Sequence, residues 1–160
     1  MEKNLDLWNA EKKRVQQQTV ERHYNERDIW WCTLGINIGS EEDGTGKGYQ
    51  RPVLILRGVS RNSCFITPLS TSQKKHRFRI PIGLLRGRQA VVLISQLRLI
   101  DTKRLVDKIG ILDQGTFAKI RKPPKTCFNG FPVLPLRGEA EAIVSPLAGR
   151  GRSHLHSNKS

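Results

Sequence analysis

The strongest apolar pattern in the chain is the run that follows Pro52. Residues 53–56 are Val, Leu, Ile and Leu, and this uninterrupted run predicts a buried strand over about 52–57. Because proline has no backbone N–H, Pro52 is expected at the beginning of the strand and not in its middle. Arg51 therefore stands at the mouth of a rigid element, where it either caps the core and points to water or has a function of its own.

The other apolar segments predict several short strands and one terminal helix. Strands are expected at 27–34, 64–69, 77–80 and 90–94, with alternating polarity over 95–101 and a short turn near 103–107. A last helix is expected to begin at Asp113, a good N-cap residue, and to end before Pro123. Short strands followed by one helix predict a mainly β fold, a small antiparallel barrel over residues 28–122.

Two flanking segments differ from this core in composition. Residues 1–27 are polar, with Trp8 and a few other apolar residues at loosely helical spacing, which predicts an N-terminal helical arm. The arm either packs on the domain through Trp8 or forms a partly ordered extension. Residues 123–160 contain prolines, glycines and basic residues, and they predict a C-terminal extension that is partly disordered.

The charge of the chain points to an anionic partner. The sequence has 28 Lys and Arg residues against 14 Asp and Glu residues, which gives a formal net charge of +14. Such a surplus favours phosphate-rich polymers first, acidic proteins second and anionic membranes third. Residues 71–104 contain nine Lys and Arg residues and one Asp. This segment is either a solvated strand face or a surface for a phosphate backbone, and the imbalance favours the second interpretation.

Several classes of protein are excluded by the pattern. No run of about 18 apolar residues is present to span a bilayer, and no apolar region near the N-terminus indicates a secretory signal. No membrane partner is therefore expected. The cysteines Cys32, Cys64 and Cys127 are far apart and lack CxxC spacing. This usage suits a reducing cytoplasm with free or buried thiols better than a disulfide framework or a zinc site.

The candidate metal and phosphate motifs are weak. Glu41, Glu42 and Asp43 lie in a glycine-rich loop, but three consecutive acidic residues lack the spacing of a calcium loop, so a solvated mobile loop is expected. The glycines do not form a phosphate-binding P-loop. No metal and no cofactor are expected. His76 is the only histidine inside the predicted barrel, and it is either a surface residue or a catalytic participant.

Adjacent tryptophans lie in the first predicted strand and must face opposite sides of the sheet. One of Trp30 and Trp31 is expected in the core. The other either stacks on a nucleobase or covers a loop or a dimer contact.

Four segments, in this order, resemble PemK/MazF-type toxins of type II toxin–antitoxin systems. They are residues 28–41 with Gly35 and Gly39, residues 51–55, residues 69–73, and residues 95–110. The resemblance covers residues 28–122. It implies an SH3-like small antiparallel β-barrel with a C-terminal helix, working as a homodimer. It also implies an endoribonuclease, an mRNA interferase, that cleaves single-stranded RNA independently of the ribosome and is neutralised by an acidic antitoxin.

The resemblance also assigns roles to particular residues. It implies Arg51 and Thr71 as catalytic residues, with Thr67 as the less favoured alternative to Thr71. The substrate-binding positions that it implies are Ser40, Glu41, Ser72, Gln73, Lys74, Ser95 and Gln96. Operator DNA is expected as a partner only through the complex with the antitoxin.

The chain departs from the family pattern at two places. Arg27 stands where a glycine usually precedes the aspartate, and the loop between Gly39 and Arg51 is longer than is common.

The chemistry implied is a metal-independent attack of the RNA 2′-OH, which leaves a 2′,3′-cyclic phosphate and a 5′-OH. The alternatives are a nucleic-acid-binding barrel without catalysis and a gyrase-directed poison of the same fold.

Overall fold

The computed structural model describes residues 3–46 and 48–122. Its elements are α1 (Leu5–Gln16), β1 (Asp28–Thr33), β2 (Gln50–Ser60), β3 (Ser63–Ser70), β4 (Arg79–Leu85), β5 (Arg88–Leu93), β6 (Arg98–Asp101), β7 (Leu105–Ile111) and α2 (Gln114–Arg121). Short 3-10 turns at Ile94–Gln96 and Thr102–Arg104 flank β6. The predicted C-terminal extension, 123–160, lies outside the described residues.

The strands form one curled antiparallel sheet in the order β4-β5-β3-β2-β1-β7, and β6 pairs with β3. Val53 of β2 lies opposite Pro68 of β3, so the start of β2 and the end of β3 meet at the same end of their hairpin. β5, the second strand of the β4–β5 hairpin, pairs with this same end of β3, and Ser70 lies opposite Val91. The residues that begin β2 and follow β3 are therefore brought together.

The sheet buries apolar residues on both of its faces. Val53 and Ile55 belong to one core cluster, whereas Leu54 between them belongs to the other. The second cluster is covered by α2 through Phe117 and Ile120. The uninterrupted apolar run of β2 follows from this arrangement, because alternate residues of a strand point to opposite faces.

Pro52 lies inside β2, since the strand begins two residues earlier than predicted, at Gln50. Pro52 is opposite Trp31 of β1, and the pairing with β3 starts only at Val53. A missing N–H is tolerated there because only one neighbouring strand is paired at that residue.

The predicted helical arm, 1–27, is helical over only part of its length. The helix α1 begins at Leu5 and ends at Gln16, where Lys13 and Arg14 complement the helix dipole. Tyr24 lies in the non-helical remainder and packs on the core, and its hydroxyl donates a hydrogen bond of 2.8 Å to the carbonyl of Ser63. The segment after α1 is therefore attached to the core through Tyr24. No helix within 3–46 and 48–122 is long and apolar enough to cross a membrane.

The short turn predicted near 103–107 is present only at Thr102–Arg104, and the strand β7, which begins directly after it at Leu105, was not predicted. Its sequence places the polar pair Asp107 and Lys108, and Gly110, among apolar residues, and within the described part of the chain it pairs only with β1. An edge strand that is half-buried has no continuous apolar run, so its pattern is weak.

The predicted terminal helix is confirmed as α2, and Oδ1 of its N-cap Asp113 accepts a 2.8 Å hydrogen bond from the Thr116 amide.

The structure accounts for the departure at Arg27. Its φ angle is 76°, which is the left-handed region that favours glycine. The amide of Arg27 donates to the carbonyl of Ile55 at 3.0 Å, and Nε donates to the carbonyl of Leu112 at 2.9 Å. These side-chain and backbone hydrogen bonds offset the cost of the backbone conformation.

Two of the three cysteines are described, and both are free and buried, as predicted. Burial raises the pKa of the Cys32 and Cys64 thiols to about 12, so both remain protonated at neutral pH. Cys127 lies outside the described residues.

Asp28, the first residue of β1, is a buried carboxylate that is only 1% exposed. It accepts hydrogen bonds from the Asn25 amide at 3.0 Å and forms an ion pair of 2.8 Å with Lys108. We expect Asp28→Ala to lower the free energy of unfolding by about 2–3 kcal/mol, because the buried Trp30 indole N–H, the Asn25 amide and the Lys108 ammonium lose their acceptor. Urea denaturation measures this change, with the exposed Asp107→Ala as the matched control. Equal effects of the two substitutions would contradict it.

Candidate functional site

Arg51 lies at the start of β2 with its side chain 16% exposed. Its Nε donates a hydrogen bond of 2.6 Å to the carbonyl of Asp43, and its Nη1 lies 3.0 Å from a carboxylate oxygen of Glu42. The same Nη1 is 3.4 Å from the carbonyl of Leu69, near the end of β3. The guanidinium therefore bridges the end of β3 and the loop between β1 and β2 (34–49, the β1–β2 loop).

The β1–β2 loop is fixed by hydrogen bonds within itself. The Asn37 amide donates to Oδ1 of Asp43 at 2.6 Å, and Nδ2 of Asn37 donates to the carbonyl of Glu42 at 2.7 Å. The Gly44 amide donates to the carbonyl of Gly35 at 2.8 Å. These contacts correct the expectation that the acidic residues are solvated, because Glu42 and Asp43 are engaged by cations and amides.

Gln96 connects this loop to the 3-10 turn after β5. Its Oε1 accepts a hydrogen bond of 3.3 Å from the Glu42 amide, and its Nε2 lies 3.5 Å from the carbonyl of Ser40. Ser40 and Glu41 are exposed in the loop, and Ser95 is exposed directly before Gln96. The structure thus brings the predicted substrate-binding residues of the loop close to those of the 3-10 turn. They lie on the side of Arg51 where its guanidinium contacts Glu42.

Thr71 directly follows β3 and is exposed. Its carbonyl accepts a hydrogen bond of 3.0 Å from Nε2 of Gln73, which also donates to the carbonyl of Gln89 at 3.3 Å. The carbonyl of Ser72 accepts from Nη1 of Arg79 at 3.2 Å. The segment after β3 is therefore held along the β4–β5 hairpin, with the Thr71 side chain open to solvent.

Arg51 and Thr71 lie at the same end of the β2–β3 hairpin. The register places Val53 opposite Pro68, and the guanidinium reaches the carbonyl of Leu69, which is two residues before Thr71. Exposed cations border this end of the sheet. They are Lys74 and Lys75 after β3, and Arg86 and Arg88 at the tip of the β4–β5 hairpin. This arrangement is suited to a polyanion.

The alternatives for catalytic residues have different environments. Thr67 is fully buried, and its hydroxyl donates a 2.7 Å hydrogen bond to the carbonyl of Leu93, so it is inaccessible to a substrate. His76 is exposed, and its Nδ1 accepts a hydrogen bond of 3.3 Å from the Phe78 amide. Trp30 is the buried member of the tryptophan pair, whereas Trp31 is half-buried.

The electrostatics of the site centre on the Asp43 carboxylate. Burial alone would raise its pKa, but the Asn37 amide, the Lys3 ammonium and the Arg51 guanidinium together hold the pKa of Asp43 below its ordinary value. A lowered pKa means that the charged carboxylate stabilises the folded loop, and that this contribution is lost as the pH falls through the lowered value.

Sequence reasoning missed the partners of Arg51. Glu42 and Asp43 were considered as weak candidates for a divalent-ion site and expected to be solvated, whereas the structure pairs Glu42 with Arg51 and Asp43 with Lys3. The signal available in the sequence was their charge, opposite to that of the nearby arginine. Within 3–46 and 48–122, no group of three or more His, Cys, Asp and Glu side chains is placed to hold a metal ion.

Comparisons with known proteins agree with this architecture. Residues 25–123 match the family described as PemK-like, MazF-like toxin of type II toxin-antitoxin system. The chain is 28% identical over 102 residues to "Endoribonuclease EndoA" of Bacillus subtilis (strain 168), a match that covers 58% of this chain and 84% of that protein.

Two solved structures have a similar fold. A crystal structure of MazF from Deinococcus radiodurans has a TM-score of 0.54 at 19% identity, covering 65% of this chain and 94% of that one. An endoribonuclease from a mycobacterial species, in complex with its cognate antitoxin, has a TM-score of 0.52 at 18% identity, covering 69% of this chain and 98% of that one.

These structures confirm the predicted SH3-like small antiparallel β-barrel. The family match spans more than half of the chain and includes β1 to α2, with every predicted site residue. The chain therefore belongs to the PemK-like, MazF-like toxins of type II toxin–antitoxin systems.

Proposed function

We propose that this chain is an endoribonuclease toxin that cleaves single-stranded mRNA at a short sequence and is neutralised by an antitoxin. The observation that carries the proposal is the position of Arg51, whose guanidinium is held by Glu42 and by main-chain carbonyls of two separate segments. A fixed, half-buried cation at the edge of a basic surface is suited to bind one phosphate of an RNA chain.

The proposed reaction uses the nucleophile of the substrate itself. The 2′-oxygen of the RNA bonds to the adjacent phosphorus while the bond from phosphorus to the 5′-oxygen breaks. The 2′-OH loses its proton and the leaving 5′-oxygen gains one, which gives a 2′,3′-cyclic phosphate and a 5′-OH. Because the substrate supplies the attacking hydroxyl, the reaction does not need a metal to generate a nucleophile.

Arg51 and Thr71 are the proposed catalytic residues. The guanidinium donates hydrogen bonds to phosphoryl oxygens that gain charge in the transition state, and the Thr71 hydroxyl donates to another oxygen. Free arginine has a pKa above about 12, so it is a poor base, and the role proposed for Arg51 is electrostatic. Thr71 is preferred to Thr67 because Thr71 is exposed.

Substrate binding is proposed to exchange one anion for another at Arg51. In the free protein the Glu42 carboxylate lies 3.0 Å from Nη1 of Arg51, so an incoming phosphate competes with Glu42 for the guanidinium. Ser40, Glu41, Ser95 and Gln96 are proposed to contact the RNA on the loop side. Ser72, Gln73 and Lys74 are proposed to contact it on the β4–β5 side.

The proposed partners follow from charge and from the family. An acidic antitoxin competes with RNA for the basic surface around Arg51, and the net charge of +14 supports this competition. The active form is proposed to be a cytoplasmic homodimer. Operator DNA is proposed to bind only to the complex of toxin and antitoxin.

Cleavage in the presence of a chelator tests the proposal. The purified chain is incubated in excess EDTA with a long single-stranded RNA, and we expect discrete fragments with cyclic-phosphate and 5′-OH ends. Polynucleotide kinase should label the new 5′ ends without prior phosphatase treatment. Bound but intact RNA would favour a barrel without catalysis, and intact RNA with inhibited DNA supercoiling would favour a gyrase-directed poison.

A further inference from the structure

The N-terminal helix lies outside the family match, yet its tryptophan contacts both ends of the β1–β2 loop. Trp8 is 6% exposed, and its ring meets Tyr49 edge-on at a centroid distance of 5.6 Å. A Cβ at Gly35 would overlap the indole, so only glycine leaves room for it. The amides of Leu34 and Gly35 both donate to the carbonyl of Tyr49, at 3.0 and 3.2 Å. One indole therefore packs where the two ends of the loop are joined.

A second contact reaches the part of the loop that holds Arg51. Nζ of Lys3 lies 2.9 Å from Oδ2 of Asp43 and donates to the carbonyl of Asn37 at 2.6 Å. The carbonyl of Asp43 in turn accepts from Nε of Arg51. Asp43 thus connects a cation of the arm with the proposed catalytic cation.

The helix is itself attached to the barrel, so it can act as a rigid support. Val15 is 8% exposed, and Nζ of Lys103 donates to the carbonyl of Gln16 at 3.1 Å. The guanidinium carbon of Arg104 lies 5.7 Å from the centroid of the Trp8 ring, and its Nη1 donates to the carbonyl of Thr33 at 3.0 Å. These contacts hold α1 on the 3-10 turn before β7 and on the end of β1.

We infer that Trp8 and Lys3 are positioning residues that fix the β1–β2 loop and thereby increase the selectivity of the nuclease for its RNA sequence. The inference rests on the proposed function. Ser40 and Glu41 lie in the braced loop, and a fixed loop presents one set of contacts to a base. A loosened loop adapts to several bases, so discrimination between sequences falls.

The inference is tested by measuring how strongly each variant discriminates between two RNA sequences. The preferred cleavage sequence is first identified with the unmodified chain. The ratio of kcat/KM for that sequence to kcat/KM for a single-base variant is then measured for Trp8→Ala, Trp8→Phe and Lys3→Gln. We expect the ratio to fall about tenfold in Trp8→Ala and less in Trp8→Phe, which keeps a ring against Tyr49. Lys3→Gln should lower the ratio as well, with little effect on folding.

Exposed residues of the same helix provide matched controls. Leu7 is 59% exposed and Lys13 is exposed, so Leu7→Ala and Lys13→Gln should leave the ratio unchanged. Hydrogen exchange gives a readout without RNA, and the Asn37 and Gly44 amides should exchange faster in Trp8→Ala while β2 stays protected. An unchanged exchange rate, or an unchanged ratio in an enzyme that cleaves RNA, would refute the positioning role. An unmodified chain that cleaves no RNA would instead refute the proposed function.

Discussion

Replacing Arg51 with alanine should reduce RNA cleavage by roughly 10³-fold, because the phosphoryl oxygens lose a preorganised donor at the position where charge develops. Two neighbouring segments hold the guanidinium through the carbonyls of Asp43 and Leu69, so the arginine stays in place while a phosphate displaces the Glu42 carboxylate. The measurement is single-turnover cleavage of a short RNA that contains the preferred sequence.

The variant Arg51→Lys separates the effect of positive charge on the cleavage rate from the effect of hydrogen-bond geometry. Arg51→Lys keeps a cation beside Glu42 but cannot donate the planar pair of hydrogen bonds, so its rate should lie between those of the wild type and Arg51→Ala. Arg61→Ala is the matched control, since Arg61 is exposed at the opposite end of the β2–β3 hairpin. Undiminished cleavage by a folded Arg51→Ala protein would exclude Arg51 from the catalytic site.

Thermal unfolding must accompany this comparison, because Arg51 also has a structural partner. The Glu42 side chain is 24% exposed, and its ion pair with Arg51 is lost in the alanine variant. A partly exposed pair contributes little to stability, typically below about 1 kcal/mol. A loss of activity that far exceeds the loss of folded protein therefore reports on the chemistry of Arg51.

The sequence predicted the elements whose signals are local. The apolar run after Pro52 and the N-cap Asp113 lie where the structure has β2 and α2. Thr71 and Arg51 were assigned through the family resemblance, and the register of β2 and β3 places them at one end of a hairpin. Their catalytic roles stay predictions until they are tested.

What the sequence did not predict depends on the path of the chain. β7 is a half-buried edge strand, so its pattern resembles that of a turn. The pairing of Glu42 with Arg51 depends on a loop whose ends meet at Tyr49, a residue with a φ angle of 48°. Packing on the domain through Trp8 was one of two alternatives for the arm, and nothing in the spacing of Trp8 identified Gly35 as its partner. Contacts between distant segments are not encoded by local periodicity.

A single 2′-deoxynucleotide on the 5′ side of the cleaved bond should abolish cleavage at that bond. The proposed nucleophile is the 2′-oxygen, and neither Arg51 nor Thr71 can replace it, since the roles proposed for both are to stabilise phosphoryl oxygens. Binding should change little, because the phosphates that contact the basic surface remain. The measurement is cleavage of the substituted oligonucleotide, together with its inhibition of cleavage of the all-ribose RNA.

The position of the substitution decides between two mechanisms. A 2′-deoxynucleotide placed one residue further along the RNA should leave the rate nearly unchanged, because the hydroxyl next to the cleaved bond is still present. If the bond is cut even without its adjacent 2′-OH, water must be the nucleophile and the products must carry a linear phosphate. Arg51 would then still stabilise the phosphoryl oxygens, but the enzyme would need a group that activates water, and the cyclic-phosphate mechanism would be wrong.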